Sequence, residues 1–158
     1  MTGIQAGGAG GFPWVRMRRN RRTDWSRRMV REHSLSVDNL IWPVFVVEGT
    51  GQRVPVASMP GVERLSVDEA ARDAEKAAKL GIPVIALFPY TDPAKRDVSG
   101  SEALNSNNLV CQACRAIKKA APSVGLMTDV ALDPYTSHGH DGLLSGETIL
   151  NDEDRKST

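Results

Sequence analysis

Apolar residues are spaced along this chain in two ways, and the two alternate. Near-continuous apolar runs fall at residues 40–47, 84–89 and 124–130. Short runs of that kind mark strands covered on both faces. Pro43 removes one ladder donor from the first run, which a strand tolerates near its start. Between the first two runs, Val67, Ala70, Ala71, Ala74, Ala77 and Ala78 recur at helical spacing. Ser66 and Glu69 predict a capping box at the head of that helix, and Gly81 with Pro83 predicts its end. Between the second and third runs, Leu109, Ala113, Ile117 and Ala120 predict another helix, capped by Asn107 or Asn108 and stopped by Pro122. Residues 49–61 and 90–106 read as loops. The order βαβαβ predicts an α/β fold with a parallel sheet and right-handed crossovers.

The ends follow neither spacing. Residues 1–15 are glycine-rich and predict a mobile leader. Trp25, Met29 and Val30, set among arginines, predict a short amphipathic helix within 16–34. Charge sharpens the division. Residues 1–31 hold eight arginines and one acid, Asp24, for a net +7; the remaining twelve basic and eighteen acidic residues net −6. A basic arm on an acidic body suits nucleic acid or an acidic protein surface. No nucleic-acid module or aromatic stacking platform accompanies the arginines, so a second copy of the acidic body is the expected partner. The expected segments are 1–39, leader and arm; 40–150, the sheet-forming body; and 151–158, a tail. At 158 residues, 41% apolar, the chain is long enough for a core. No apolar run nears the ~20 residues of a membrane span, and no secretory signal core is seen, which predicts a cytoplasmic protein. Cys111 and Cys114 lack the second ligand pair that zinc would need, and are expected to pack as plain thiols.

Chemistry concentrates from the end of the third apolar run onward. Asp129, Asp133 and Asp141 occur there with His138 and His140. Extended backbone alternates its side chains, so Asp129, Ala131 and Asp133 are expected on one face. The glycines and Pro134 that follow bend the chain and are expected to return Asp141 towards the strand end. Carboxylates on a buried strand face imply a partner, whereas Asx turns and capping are the bland alternative. The histidines suit metal ligation or proton transfer, or simple anchoring of a glycine-rich turn. Thr136 and Ser137 are expected to buttress that turn. Asp97 and Glu102 read as solvated loop charge.

The run Asp129-Val130-Ala131-Leu132-Asp133-Pro134, closing with Gly139-His140-Asp141-Gly142, resembles the metal-site signature of the porphobilinogen synthase (5-aminolevulinate dehydratase) family. Its zinc-using members carry cysteine at the places of Ala131, Asp133 and Asp141; the version here is similar to the magnesium-type bacterial branch. Thiolates suit zinc, and carboxylates suit hard cations. Met59-Pro60-Gly61-Val62 and Arg18-Arg19-Asn20-Arg21-Arg22 match the same family. The likeness runs from about residue 15 to about residue 153 and reaches only the amino-terminal portion of a family member; residues 154–158 depart from it.

The resemblance implies a partial TIM (β/α)8 barrel of about three βα units behind an extended basic arm. It implies a hydro-lyase that joins two 5-aminolevulinate molecules into porphobilinogen, a step of heme and tetrapyrrole biosynthesis. Asp129, Asp133 and Asp141 would line its active site, with Asp133 and Asp141 as candidate magnesium ligands. Arg18, Arg19, Arg21 and Arg22 would join subunits into a family-type octamer. The family also needs two Schiff-base lysines. The six lysines here (76, 79, 95, 118, 119, 156) fall on predicted helix surfaces, a loop or the tail. No catalytic lysine is assigned, and the chain alone is expected to be inactive. An incomplete barrel would also expose a strand edge and apolar surface. Two further readings stand beside this one: a non-catalytic assembly element docking on intact subunits, and a metal-dependent hydrolase using the Asp/His cluster to activate water.

Overall fold

A computed structural model describes residues 19–150, and they fall into two compact units divided after Leu35. The leader, Arg18, the side chain of Arg19 and the tail 151–158 lie outside the described residues. In the first unit, one 3-10 turn at Arg19–Arg21 precedes helix α1 (Asp24–Met29), with Thr23 as its cap. The helix lies within the stretch 16–34, where a short one is expected. Six residues sit well below the length at which a helix sustains itself, and Trp25 and Met29 are exposed.

The second unit runs β1 (Ile41–Val46), β2 (Arg53–Pro55), β3 (Glu63–Leu65), α2 (Val67–Leu80), β4 (Val84–Pro89), α3 (Leu109–Ala120) and β5 (Gly125–Thr128). A small hairpin, β6 (Leu144–Ser145) with β7 (Thr148–Ile149), follows. The main sheet has the order β2-β3-β1-β4-β5; β3, β1, β4 and β5 are parallel and β2 is antiparallel to β3. The α/β class and the expected strand and helix order therefore hold, in a sheet that is mixed rather than purely parallel. Two differences stand out. Residues 49–61, read as a loop, contain β2, and β3 follows just beyond. Three-residue strands are too short to show a period. The third strand also stops at Thr128, short of the predicted residue 130.

Pro43 pairs across to Ala86 of β4 inside β1. The Val47 N–H donates to Leu65 on the β3 side, so by strand alternation Phe45 and Pro43 turn their backbone groups that way too. Pairing with β3 begins only at Phe45, which is why a proline is accommodated at 43.

Helices α2 and α3 cover one face of the sheet. Ala70, Ala74 and Ala77 of α2 and Ala113 and Ile117 of α3 bury against Val44, Val46, Leu65, Ile85 and Leu87. The small α2 side chains permit that close packing. On the opposite face Ile41, Phe88 and Met127 stay exposed, and the Phe45 and Phe88 rings lie 5.9 Å apart.

The predicted stop and second cap are present. Gly81 ends α2 at φ 76°, a left-handed conformation that costs a residue with a Cβ about 1 kcal/mol, and Asn108 Oδ1 accepts the Cys111 N–H at 2.9 Å. The capping box is not formed. The Ser66 hydroxyl instead accepts the Gln52 N–H (2.9 Å) and donates to Asp68 (2.6 Å), while Glu69 turns to Arg53. Arg53 binds Glu69 and Asp73 of α2, each at 2.7 Å, and Glu63 at 2.9 Å. The two helix carboxylates are buried, so the guanidinium outcompetes the backbone for Glu69. Burial works against the Asp73 carboxylate, but Lys76 and Arg53 prevail and hold its pKa below the ordinary value.

Candidate active site

The acidic cluster lies where the parallel strands end. Strand β5 ends at Thr128, and the next residue is Asp129. From there side chains still alternate: Val130 is 93% exposed, while Asp129, Ala131 and Asp133 line one cleft of about 270 Å³. The predicted one-sided trio is thus present, although all three members lie beyond the end of the strand. All three aspartates are exposed, however, so the expected cost of burying them does not apply.

The chain then folds back on itself. Asp141 Oδ1 accepts the N–H groups of Leu132 (2.7 Å) and Asp133 (3.0 Å), which is the predicted return of Asp141 to the strand end. The buried Thr136 donates its hydroxyl to the His140 carbonyl at 2.9 Å. The His140 N–H donates to His138 Nδ1 at 3.2 Å, leaving Nε2–H to donate to the Val98 carbonyl at 3.2 Å. One neutral tautomer satisfies both contacts, and it makes His138 a loop anchor.

Asp97 is not the solvated loop charge expected of it. Its carboxylate accepts from the backbone and hydroxyl of both Ser99 and Ser101. These bonds, the Ser101 hydroxyl first, hold its pKa well below the ordinary carboxylate range. Its backbone straps the acidic turn: the Asp97 N–H donates to the Tyr135 carbonyl, and the Ser137 N–H to the Asp97 carbonyl at 2.9 Å. Gly100, at φ 66°, lies close beneath Thr136, Leu132 and Tyr135. Glu102 accepts from the Asn105 amide nearby.

Asp129 and Asp133 share the main cleft, while Asp141 and Asp129 share an adjoining hollow of about 200 Å³. Partial burial, then the charges of Asp141 and Asp129, raise the Asp133 pKa. The same cleft is also lined by residues that sequence reasoning passed over: Arg64 of β3, Tyr90 and Tyr135. Arg64 stacks on the Tyr90 ring at 4.6 Å. Arg96 approaches the same ring at 5.7 Å and donates to the Thr91 carbonyl at 2.7 Å. Tyr90 follows the last residue of β4 just as Asp129 follows that of β5, and this shared position was the available signal.

No described lysine lines the cleft. Lys76 pairs with Asp73, Lys118 donates to the Pro122 and Val124 carbonyls, and Lys95 pairs with Glu48, which raises the Lys95 pKa. Lys79 and Lys119 lie on exposed helix positions. Among the described residues no three His, Cys, Asp or Glu side chains gather as a metal site. Asp141 Oδ1 is committed to two backbone donors, so Asp133 and Asp141 alone do not make a magnesium ligand set. Cys111 and Cys114 are free thiols, and burial raises the Cys114 pKa. No described helix is long and apolar enough to cross a membrane.

A largely parallel α/β sheet with its cleft beyond the carboxyl ends of the strands defines a class of ligand-binding proteins. Within that class, residues 14–157 match the model of the delta-aminolevulinic acid dehydratase family, and the chain belongs to that family. A delta-aminolevulinic acid dehydratase of Bradyrhizobium diazoefficiens is 66% identical over 139 residues, which span 88% of this chain and 39% of that protein. One from Rhodobacter capsulatus is 42% identical, over 90% of this chain and 43% of its own length. Among solved structures, delta-aminolevulinic acid dehydratase (porphobilinogen synthase) of Toxoplasma gondii, in complex with the reaction product porphobilinogen, superposes with a TM-score of 0.79 at 40% identity. It is covered over 40% of its length, against 87% of this chain. The chain thus spans about two fifths of these relatives.

Proposed function

We propose that this chain forms the arm and first βα units of a porphobilinogen synthase barrel, and that the whole enzyme condenses two 5-aminolevulinate molecules with loss of water. The observation that carries this reading is the convergence of Asp129, Ala131 and Asp133 on one cleft beyond the parallel strands of a family member. In that cleft the carboxylates hold and orient a substrate amine. The Asp97 strap and the Asp141 clamp keep the acidic turn in place. The amine nucleophile for the substrate ketones comes from outside the described residues, since their lysines are paired or set on helix surfaces. Magnesium, when part of the assembled enzyme, would draw most of its oxygen ligands from elsewhere.

We further propose that Arg18, Arg19, Arg21 and Arg22 dock on the acidic body of another subunit, in an assembly weakened by salt. The hydrolase reading finds no gathered ligand set among the described residues.

Porphobilinogen formation tests the main reading, measured for the chain alone and for the chain mixed with the carboxyl-terminal remainder of the Bradyrhizobium relative. The expected result is no product from the chain alone, product from the mixture, and loss of that product with Asp133→Ala. Turnover by the chain alone would overturn the assignment of the nucleophile. A folded, associated mixture without product would overturn the function.

A further inference from the structure

Cys111 and Cys114, the two cysteines of the chain, are free and half-buried. Helix α3 carries them in its first two turns, three residues apart, so both project from one face. The proposed reaction uses neither, and they stand apart from Ala131, Asp133 and Asp141 in the acidic turn. Burial, then the charge of Cys111, raises the Cys114 pKa, and Arg115 works the other way. The Arg115 guanidinium is held in place by the Ser106 carbonyl at 3.1 Å and Asn107 Oδ1 at 2.7 Å. Tyr135, which lines the cleft, feels the pair as well: burial first, then Cys111, Glu102 and Cys114, raise the pKa of its phenol.

We infer that Cys111 and Cys114 form a two-thiolate site for a soft monovalent cation, of which copper(I) is the type, independent of the synthase reading. Binding joins one copper(I) to both sulfurs, releases the two thiol protons to solvent and leaves a complex of net charge −1; no electron is transferred. Geometry favours this ligand over two others. Residues three apart on a helix hold their Cβ atoms about 5–6 Å apart, whereas a disulfide needs ~3.5–4.5 Å. Helix α3 is unbroken across the pair, and the Cys111 N–H is fixed to Asn108 at 2.9 Å, so a direct sulfur–sulfur bond would have to break the turn. Zinc needs four ligands, and among the described residues no third His, Cys, Asp or Glu joins the two thiols. Two metal–thiolate bonds of ~2.3 Å laid in line span about 4.6 Å, which sulfurs on Cβ atoms ~5–6 Å apart reach without moving the backbone. Copper(I), a filled-shell ion content with two ligands in line, selects thiolates. The charge effect of Cys111 on Cys114 is the repulsion that a cation between them removes. Arg115 and the amino-terminal turn of α3 then offset the remaining negative charge.

Anaerobic titration of the full, reduced 158-residue chain with copper(I), in competition with the chromophoric chelator bicinchoninate, tests this. The expected result is one copper per chain, with a sulfur-to-copper charge-transfer band in the ultraviolet and unchanged helical circular dichroism. Cys111→Ser and Cys114→Ser are each expected to weaken binding about a hundredfold or more, beyond the ~10–100-fold that loss of an outer partner of a metal ligand costs. Half a copper per chain would mean a site shared between chains and would overturn the inference. So would full affinity in either single variant, loss of helix on loading, or zinc binding as tightly as copper(I). Alkylation of the unaltered chain by iodoacetamide decides the matter if a variant does not fold. One equivalent of copper(I) should shield both cysteines together; shielding of one alone, or of neither, rejects the site.

Discussion

Asp97 shows how much one side chain can organise at an exposed position. Four donors converge on it, and its backbone carries the strap to the acidic turn. Its folded-state pKa is depressed. The stability it contributes is therefore fully present above the ordinary Asp value near ~3.9 and is lost as pH falls through the lower folded value. Amide exchange at Ser99 and Ser101 is expected to stay slow at neutral pH and to quicken on acidification below that window. In Asp97→Asn those amides should exchange quickly at neutral pH already and show no such acid transition. At this scale the sequence was only half legible. Asp129, Asp133 and Asp141 announced themselves by clustering beside a strand, and the turn residues told of the chain's return. Arg64 and Asp97 carry no local signature, because what makes them matter is a ring, a cleft and a neighbouring turn brought near only by folding.

At the scale of elements, legibility tracked length. Six-residue strands and helices of three or four turns leave a period in the sequence; β2 and β3, three residues each, do not. Besides its ladder to β3, β2 is tied to α2 by Arg53, which bridges to carboxylates that cannot easily return to water. The same bridge explains the failed capping box, since Glu69 is worth more to a guanidinium than to a backbone N–H. Arg53→Met should destabilise the second unit by about 2 kcal/mol, most of it from stranding Glu69 and Asp73 without their shared partner. Adding Glu69→Met and Asp73→Met to that variant should recover much of the loss. Urea unfolding of the single and triple variants reads this directly; a silent Arg53→Met would show the network to be ornamental.

Over the whole molecule, α2 and α3 cover one face of the sheet, and the other keeps Ile41, Phe88 and Met127 exposed. Surface of this kind binds apolar dyes. The isolated chain is expected to enhance the fluorescence of anilinonaphthalene sulfonate at neutral pH, and the added carboxyl-terminal piece of a relative should suppress that signal. A dye-silent chain would mean that the face is already covered. Such exposure invites indiscriminate stacking of sheets, and here the proline in β1 acquires a second significance. On the outer border of β1, ahead of its junction with β3, alternation leaves Ile41 as the sole donor, because position 43 has only a carbonyl to offer. A stray chain seeking to extend the sheet at that border meets acceptors with almost nothing to give in return. The border discourages promiscuous zippering while still admitting a strand that brings its own donors in register.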